Sequence, residues 1–308
     1  MDLAGWRWAF VAVVPVAGYA FLVARRAVRE SRADPGGTAP LDWIGAGLSC
    51  AGLLALVWGL IAWPERGASP PVLAALLGGL VLLAAFVLVE RRLGDGAMTP
   101  LTLFARLTFA GLSLLTLFLY AALGGLLVLL PYVLIEALGY SVTAAGAAIL
   151  PFPLVLGLLS RAAGGAMTER FGTRALLVAG SGLVALGFLS FAQLPAEGIS
   201  YWRHLLPGLL VLALGMAASV APLTTAVLGS AGERYAGVAS GVNNAISRVA
   251  GLVATALLGV VLVGSAEDLV AGFAAAAWAG AALALLGAAA ALWLVGRDGE
   301  ADTQGEIR

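Results

Sequence analysis

Apolar runs alternate with short polar breaks along the whole chain. Nine runs stand out, at about 8–24, 43–63, 70–89, 109–134, 143–164, 175–194, 204–228, 240–263 and 269–295. Each approximates the ~20 residues that a helix needs to cross a hydrocarbon core of about 30 Å. Helices are expected because a backbone facing lipid must satisfy its N–H and C=O groups within its own segment. The pattern therefore predicts an all-α polytopic membrane protein. No polar break is long enough for a soluble domain. The longest, "RRAVRESRADPGGTAPLD" from Arg25 to Asp42, is a Pro/Gly-bearing loop, and the tail "RDGEADTQGEIR" from Arg297 reads as disordered. The stretch 91–109 reads either as a short interfacial helix ahead of the fourth run or as a plain linker.

Composition agrees with this reading. Of 308 residues, 61% are hydrophobic and 11% charged, where a soluble domain carries about a quarter charged residues. Mean hydropathy is +1.01. The 17 basic residues are all arginine and balance 17 acidic ones, so nothing in the charge points to a nucleic-acid partner. Their placement is more informative. If the loop after the first run is cytoplasmic, the inside segments collect Arg25, Arg26, Arg29, Arg32, Arg91, Arg92, Arg106, Arg170, Arg174, Arg234, Arg297 and Arg308. The outside segments collect Arg7, Arg66 and Arg203. This bias predicts an outside N-terminus and a cytoplasmic C-terminus.

Asp2 and the arginine block after the first run argue against a cleavable signal peptide. An outward start combined with an odd number of spans leads to the expectation that further chain precedes Met1. The lone Cys50 excludes an internal disulfide, and the lone His204 excludes a His-based metal cluster. Neither H-E-x-x-H, nor a G-x-S-x-G elbow, nor paired intramembrane aspartates occurs, so neither an enzyme nor a cofactor is expected.

The eighth run opens with "GVASGVNNAISRVAG", residues 237–251, unusually polar for a span. At 100° per residue, Gly237, Gly241, Asn244, Arg248, Gly251, Thr255 and Gly259 fall within about 40° of one line. The glycines Gly237, Gly241, Gly251 and Gly259 suit close helix packing. Asn244, rather than Asn243, lies on that stripe. Arg248 has two readings, an anchor that snorkels to the cytoplasmic surface or a charge on the transport pathway. Glu136, at the outer end of the fourth run, is either a proton-exchanging carboxylate or an interfacial glutamate in water. Arg161 is expected to snorkel toward the same face as the loop that follows it. Prolines 131, 151, 153, 207 and 222 predict bends or helix ends.

"GAMTERFGTR", residues 165–174, sets Gly165, Glu169, Arg170, Gly172 and Arg174 in a tight basic loop. Glu169 and the arginines can pair with each other or with a helix end at the cytoplasmic surface. The spacing resembles the G-x-x-x-D/E-R-x-G-x-R/K loop of the major facilitator superfamily, with Glu in place of the commoner Asp. "GYSVTAAGAAILP" (139–151), "GWRWAFVAVVP" (5–15), "LDWIGAGL" (41–48) and the 237–251 stretch are similar, in order, to motifs of its fourteen-helix drug:proton antiporters, often called EmrB/QacA-type. Val13 stands where that branch usually has asparagine.

The resemblance implies a partial major facilitator fold comprising helices six to fourteen. Residues 1–36 would be the sixth helix with its loop, 37–106 two linker helices, 107–296 the C-terminal six-helix bundle, and 297–308 a cytoplasmic tail. It further implies a transporter in the lipid bilayer that exports small hydrophobic drugs or metabolites in exchange for protons, with 165–174 as its conformational-switch loop. The N-terminal half would belong to the same or a separate chain. The alternative is a non-transporting membrane subunit that pairs with a separately encoded N-terminal half.

Overall fold

A computed structural model describes residues 7–27, 42–94, 97, 99–195, 198–232, 235–264 and 269–296, helical nearly throughout. The chain divides into two compact units, residues 1–41 and 42–308. In the first, α1 (Arg7–Ala27) carries Pro15 inside and Arg25 and Arg26 in its last turn. The expected polar loop at 28–41 and the tail at 297–308 lie outside the described residues.

In the second unit, eight helical stretches among the described residues are long and apolar enough to cross a membrane. They correspond to the eight runs after the first. α1, over the first run, is helical but is not among the eight.

α2 (Trp43–Arg66) and α3 (Pro70–Leu93) form a hairpin. Asp42 caps α2 by accepting from the Gly45 N–H at 2.8 Å, satisfying a donor that has no partner within its own helix. Pro70 and Pro71 open α3, where a missing N–H costs nothing. Gly45, Gly52 and Gly59, seven residues apart, are the buried positions of α2. A Cβ at Gly52 would stand 3.1 Å from the Gly79 carbonyl, and one at Gly79 2.8 Å from the Gly52 carbonyl. The backbones therefore touch, the usual means of holding helices together in lipid.

In the stretch 91–109, open between interfacial helix and linker, the described residues between α3 and the next long helix hold a one-turn helix, α4 (Thr102–Ala105). After it come α5 (Leu107–Tyr132), α6 (Val142–Ile149), α7 (Pro151–Ala162), the short α8 (Thr168–Phe171), α9 (Thr173–Ala192), α10 (Leu206–Ala231), α11 (Ala236–Gly264) and α12 (Leu269–Leu294). Wide turns at Val133–Ala137, Ala163–Met167 and Tyr201–Leu205 adjoin α5, α7 and α10. One span is therefore broken. Ser141 caps α6, the chain breaks at Leu150, and Pro151 starts α7. Tyr201 Oη donates to the Ala148 carbonyl at the break, at 2.9 Å.

The packing has an internal symmetry. α5 packs on α11 and α12, α10 packs on α7 and α9, and α9 packs on α12. Exchanging α5 with α10, α7 with α11 and α9 with α12 leaves these pairings unchanged. The bundle is thus two sets of three spans that reach into one another. Its core includes the fully buried Leu115, Leu119, Leu177, Leu212 and Phe273. Where α9 crosses α10, a Cβ at Gly215 would stand 2.6 Å from the Gly180 carbonyl and one at Gly180 2.9 Å from the Gly215 carbonyl. α2 lies along α11, joining the hairpin to the bundle.

Candidate functional site

The loop at 165–174 owes its shape to two glycines. Gly165 leaves helical geometry at φ −108° and ψ −105°, which kinks the end of the span. Gly172, at φ +79°, ends α8 and starts α9, a backbone that side-chain-bearing residues rarely adopt. Thr168 Oγ1 donates to the Ala163 carbonyl across the turn, at 2.6 Å. Arg174, in the first turn of α9, donates to the Leu292 carbonyl in the last turns of α12. Arg170 lies over the Phe171 ring, 5.3 Å from its centroid. Glu169 is exposed and makes no ion pair among the described residues; of the two expected pairings, the one formed is an arginine on a helix end, Arg174 on α12.

A second arginine repeats that tie. Arg106, at the N-cap of α5, donates to the Ser230 carbonyl at the end of α10, at 2.9 Å. Cations at helix C-termini satisfy orphan carbonyls and oppose the negative end of the helix dipole. Under the exchange of helix sets, α5 and α10 swap, as do α9 and α12. Each tie thus joins the start of one helix to the end of its exchange partner, so α5 starts where α10 ends and α9 starts where α12 ends.

The polar stripe of α11 faces away from the described bundle. Gly237, Gly241, Asn244, Arg248 and Thr255 are exposed. Asn244 Nδ2 donates to the Ser240 carbonyl and Thr255 Oγ1 to the Gly251 carbonyl, so both side chains fold back on their own helix. Arg248 has no hydrogen bond or ion pair among the described residues. A Cβ at Gly237 or Gly241 would meet nothing within 4 Å, so these two glycines do not serve packing within the described bundle. Gly251 does pack, at the stripe's edge: a Cβ on Gly124 of α5 would stand 2.7 Å from Gly251 Cα. Gly259 lies further along α11.

Asn243, set aside in favour of Asn244, joins the helices. Thr116, fully buried on α5, donates to Asn243 Oδ1 at 2.7 Å. Glu136 sits exposed in the Val133–Ala137 turn, and Arg161 is exposed near the end of α7. Neither adjoins the α11 stripe through any bond among the described residues.

A cavity of about 410 Å³ opens between α5, α11 and α12, with Phe188 of α9 among its walls. Leu126, Leu129, Leu257, Phe273 and Leu283 line it, with alanines and glycines between them. Its size suits a small apolar ligand, and no charged side chain among the described residues lines it.

A helical, polytopic bundle built from two interlocking sets of three spans defines a membrane-transporter class of architecture. The chain belongs to the Major Facilitator Superfamily, whose sequence pattern matches residues 1–255. It is 31% identical over 84% of its length to the puromycin resistance protein pur8 of Streptomyces alboniger, covering 51% of that protein. It is 30% identical to the multidrug resistance protein B homolog of Mycobacterium tuberculosis, over 84% of this chain and 48% of the relative. The cephamycin export protein CmcT of Amycolatopsis lactamdurans is 28% identical over 83% of this chain and 53% of its own length. The chain thus spans about half the length of these relatives.

Proposed function

We propose that this chain is the C-terminal portion, helices six to fourteen, of a fourteen-helix drug:proton antiporter. The complete transporter exports hydrophobic drugs or metabolites. The observation that carries this reading is the α11 stripe. Asn244 and Arg248 stand exposed with no partner on another helix among the described residues, within a span long and apolar enough to cross a membrane. A charge within a membrane span marks a pathway or a paired site. The face therefore suits the central cleft between two bundles, where substrates of such transporters bind. Names of relatives that include puromycin resistance, multidrug resistance and cephamycin export support a drug-like substrate. Their greater length supports a missing N-terminal bundle, and the motif order supports the fourteen-helix branch.

On this reading the N-terminus is outside, the C-terminus is cytoplasmic, and 165–174 is the inner switch loop. The expected division at 36, 106 and 296 is retained as part of the proposal.

The test is transport in proteoliposomes driven by a pH gradient. The product that includes any upstream five helices should export a lipophilic cation, and Arg248→Ala should abolish export. The 308-residue chain alone should not transport. Transport by the chain alone would refute the partial-transporter reading, and gradient-independent transport by the longer product would refute proton coupling.

A further inference from the structure

The α2–α3 hairpin ends in a pair of acids that the transport reading leaves unused. Glu90, in the last turn of α3, is 1% exposed. Its Oε2 accepts from the Thr99 N–H at 2.9 Å. Asp42 uses Oδ1 to cap α2. That leaves Asp42 Oδ2 and Glu90 Oε1, both buried and without an N–H or O–H directed at them among the described residues. The two oxygens converge on Gly45, where an added Cβ would stand 2.9 Å from Glu90 Oε1 and closer still to Asp42 Oδ2. The two carboxyl groups thus approach each other beside Gly45.

Two carboxylate ions have four acceptor lobes and no donor between them, so this contact is a hydrogen bond only if one acid keeps its proton. Two bare anions in such burial would be strongly disfavoured. Among the described residues no cation pairs with them. Arg91 and Arg92 on α3 are exposed and form no ion pair with either acid, and Arg248, the charged side chain among the described residues of α11, has no bond to them. Asp95 lies outside the described residues.

We propose that Asp42 and Glu90 form a one-proton site that latches the start of α2 and the end of α3 to the segment leading into α5. The ligand is a proton and not a metal ion, because the pocket offers two free oxygens and no third ligating side chain among the described residues. The latch reaches the bundle through Thr99, α4 and Arg106, whose guanidinium holds the end of α10. Loss of the proton sets two anions against each other at the hairpin mouth and frees the Thr99 segment.

Infrared spectroscopy of the full chain in lipid nanodiscs tests this at neutral pH, where solvated carboxyl groups are ionised. A protonated-carboxyl carbonyl band, shifted in D2O, is expected in the parent and absent from both Glu90→Gln and Asp42→Asn. Glu90→Gln can still accept from Thr99 and donate to Asp42. It should keep the helical circular dichroism of the parent while removing the fall in melting temperature that the parent shows as pH rises. Absence of the band in the parent would overturn the proposal, as would a band that survives in both variants. Stabilisation by Na+ or Ca2+ in place of the band would assign a bound cation and also overturn it.

Discussion

Thr116 on α5 donates a hydrogen bond of 2.7 Å to Asn243 Oδ1 on α11, while the neighbouring Asn244 bonds only to the Ser240 carbonyl of its own helix. Adjacent asparagines thus divide the work: one joins helices and the other faces outward. Interhelical hydrogen bonds in membranes contribute about 0.6 kcal/mol on average and up to ~1.7. Thr116→Val and Asn243→Ala are expected to be coupled by that amount in a double-mutant cycle read by detergent unfolding. Asn244→Ala should change stability by less than about 0.5 kcal/mol. A coupling indistinguishable from zero would show that the pair does not hold the crossing.

The Gly124–Gly251 crossing predicts an asymmetry that glycine content alone does not. A Cβ at Gly124 would meet Gly251 Cα at 2.7 Å, backbone that cannot give way, whereas a Cβ at Gly251 would enter open space. Gly124→Ala should therefore destabilise the bundle by about 1–3 kcal/mol, the usual cost of overpacking. Gly251→Ala should be close to neutral and even gain slightly from helix propensity. Equal costs at the two positions, measured by the same unfolding assay, would contradict the geometry.

Much of this arrangement was legible in the sequence, and the parts that were not share one cause. Long apolar runs mark spans whatever packs around them, so eight runs reappear as membrane-length helices. Gly172 could be read because a positive φ at a helix junction depends on local chain alone. Periodicity also aligned Gly237, Gly241, Asn244 and Arg248 on one face. It could not say which side of α11 the bundle occupies, because a neighbouring helix is as apolar as lipid. Asn243 was missed for that reason. Gly45, Gly52 and Gly59 did carry a signal in their seven-residue spacing. Glu90 gave less, since beside Arg91 and Arg92 it resembles the ordinary charged end of a span.

The two arginine ties should fail independently. Arg106→Met removes the donor to Ser230 at the end of α10, and Arg174→Met removes the donor to Leu292 in α12. Each tie is expected to contribute about 0.3–1 kcal/mol, as cations do at exposed helix C-termini. Hydrogen exchange should accelerate in the last turn of α10 for the first variant and in the last turn of α12 for the second. Acceleration of both ends by either variant would mean that the end of the bundle frays as one unit.

Tyr201 supports the broken span from a distance of 53 residues along the chain. Its hydroxyl donates to the Ala148 carbonyl just before the Leu150 break, where Pro151 brings no N–H of its own. Neighbouring donors commonly re-satisfy carbonyls at such proline breaks within membranes. Tyr201→Phe deletes the donor and keeps the ring, so it isolates the hydrogen bond at an expected cost of about 0.5–1.5 kcal/mol. Pro151→Ala lets α6 run on into α7, so that the Phe152 N–H can serve the Ala148 carbonyl as in continuous helix. The Tyr201→Phe penalty should therefore shrink in the Pro151→Ala background, as read from melting temperatures of the four variants of the cycle. An undiminished penalty would show that Tyr201 anchors the loop before α10 and does not serve the break.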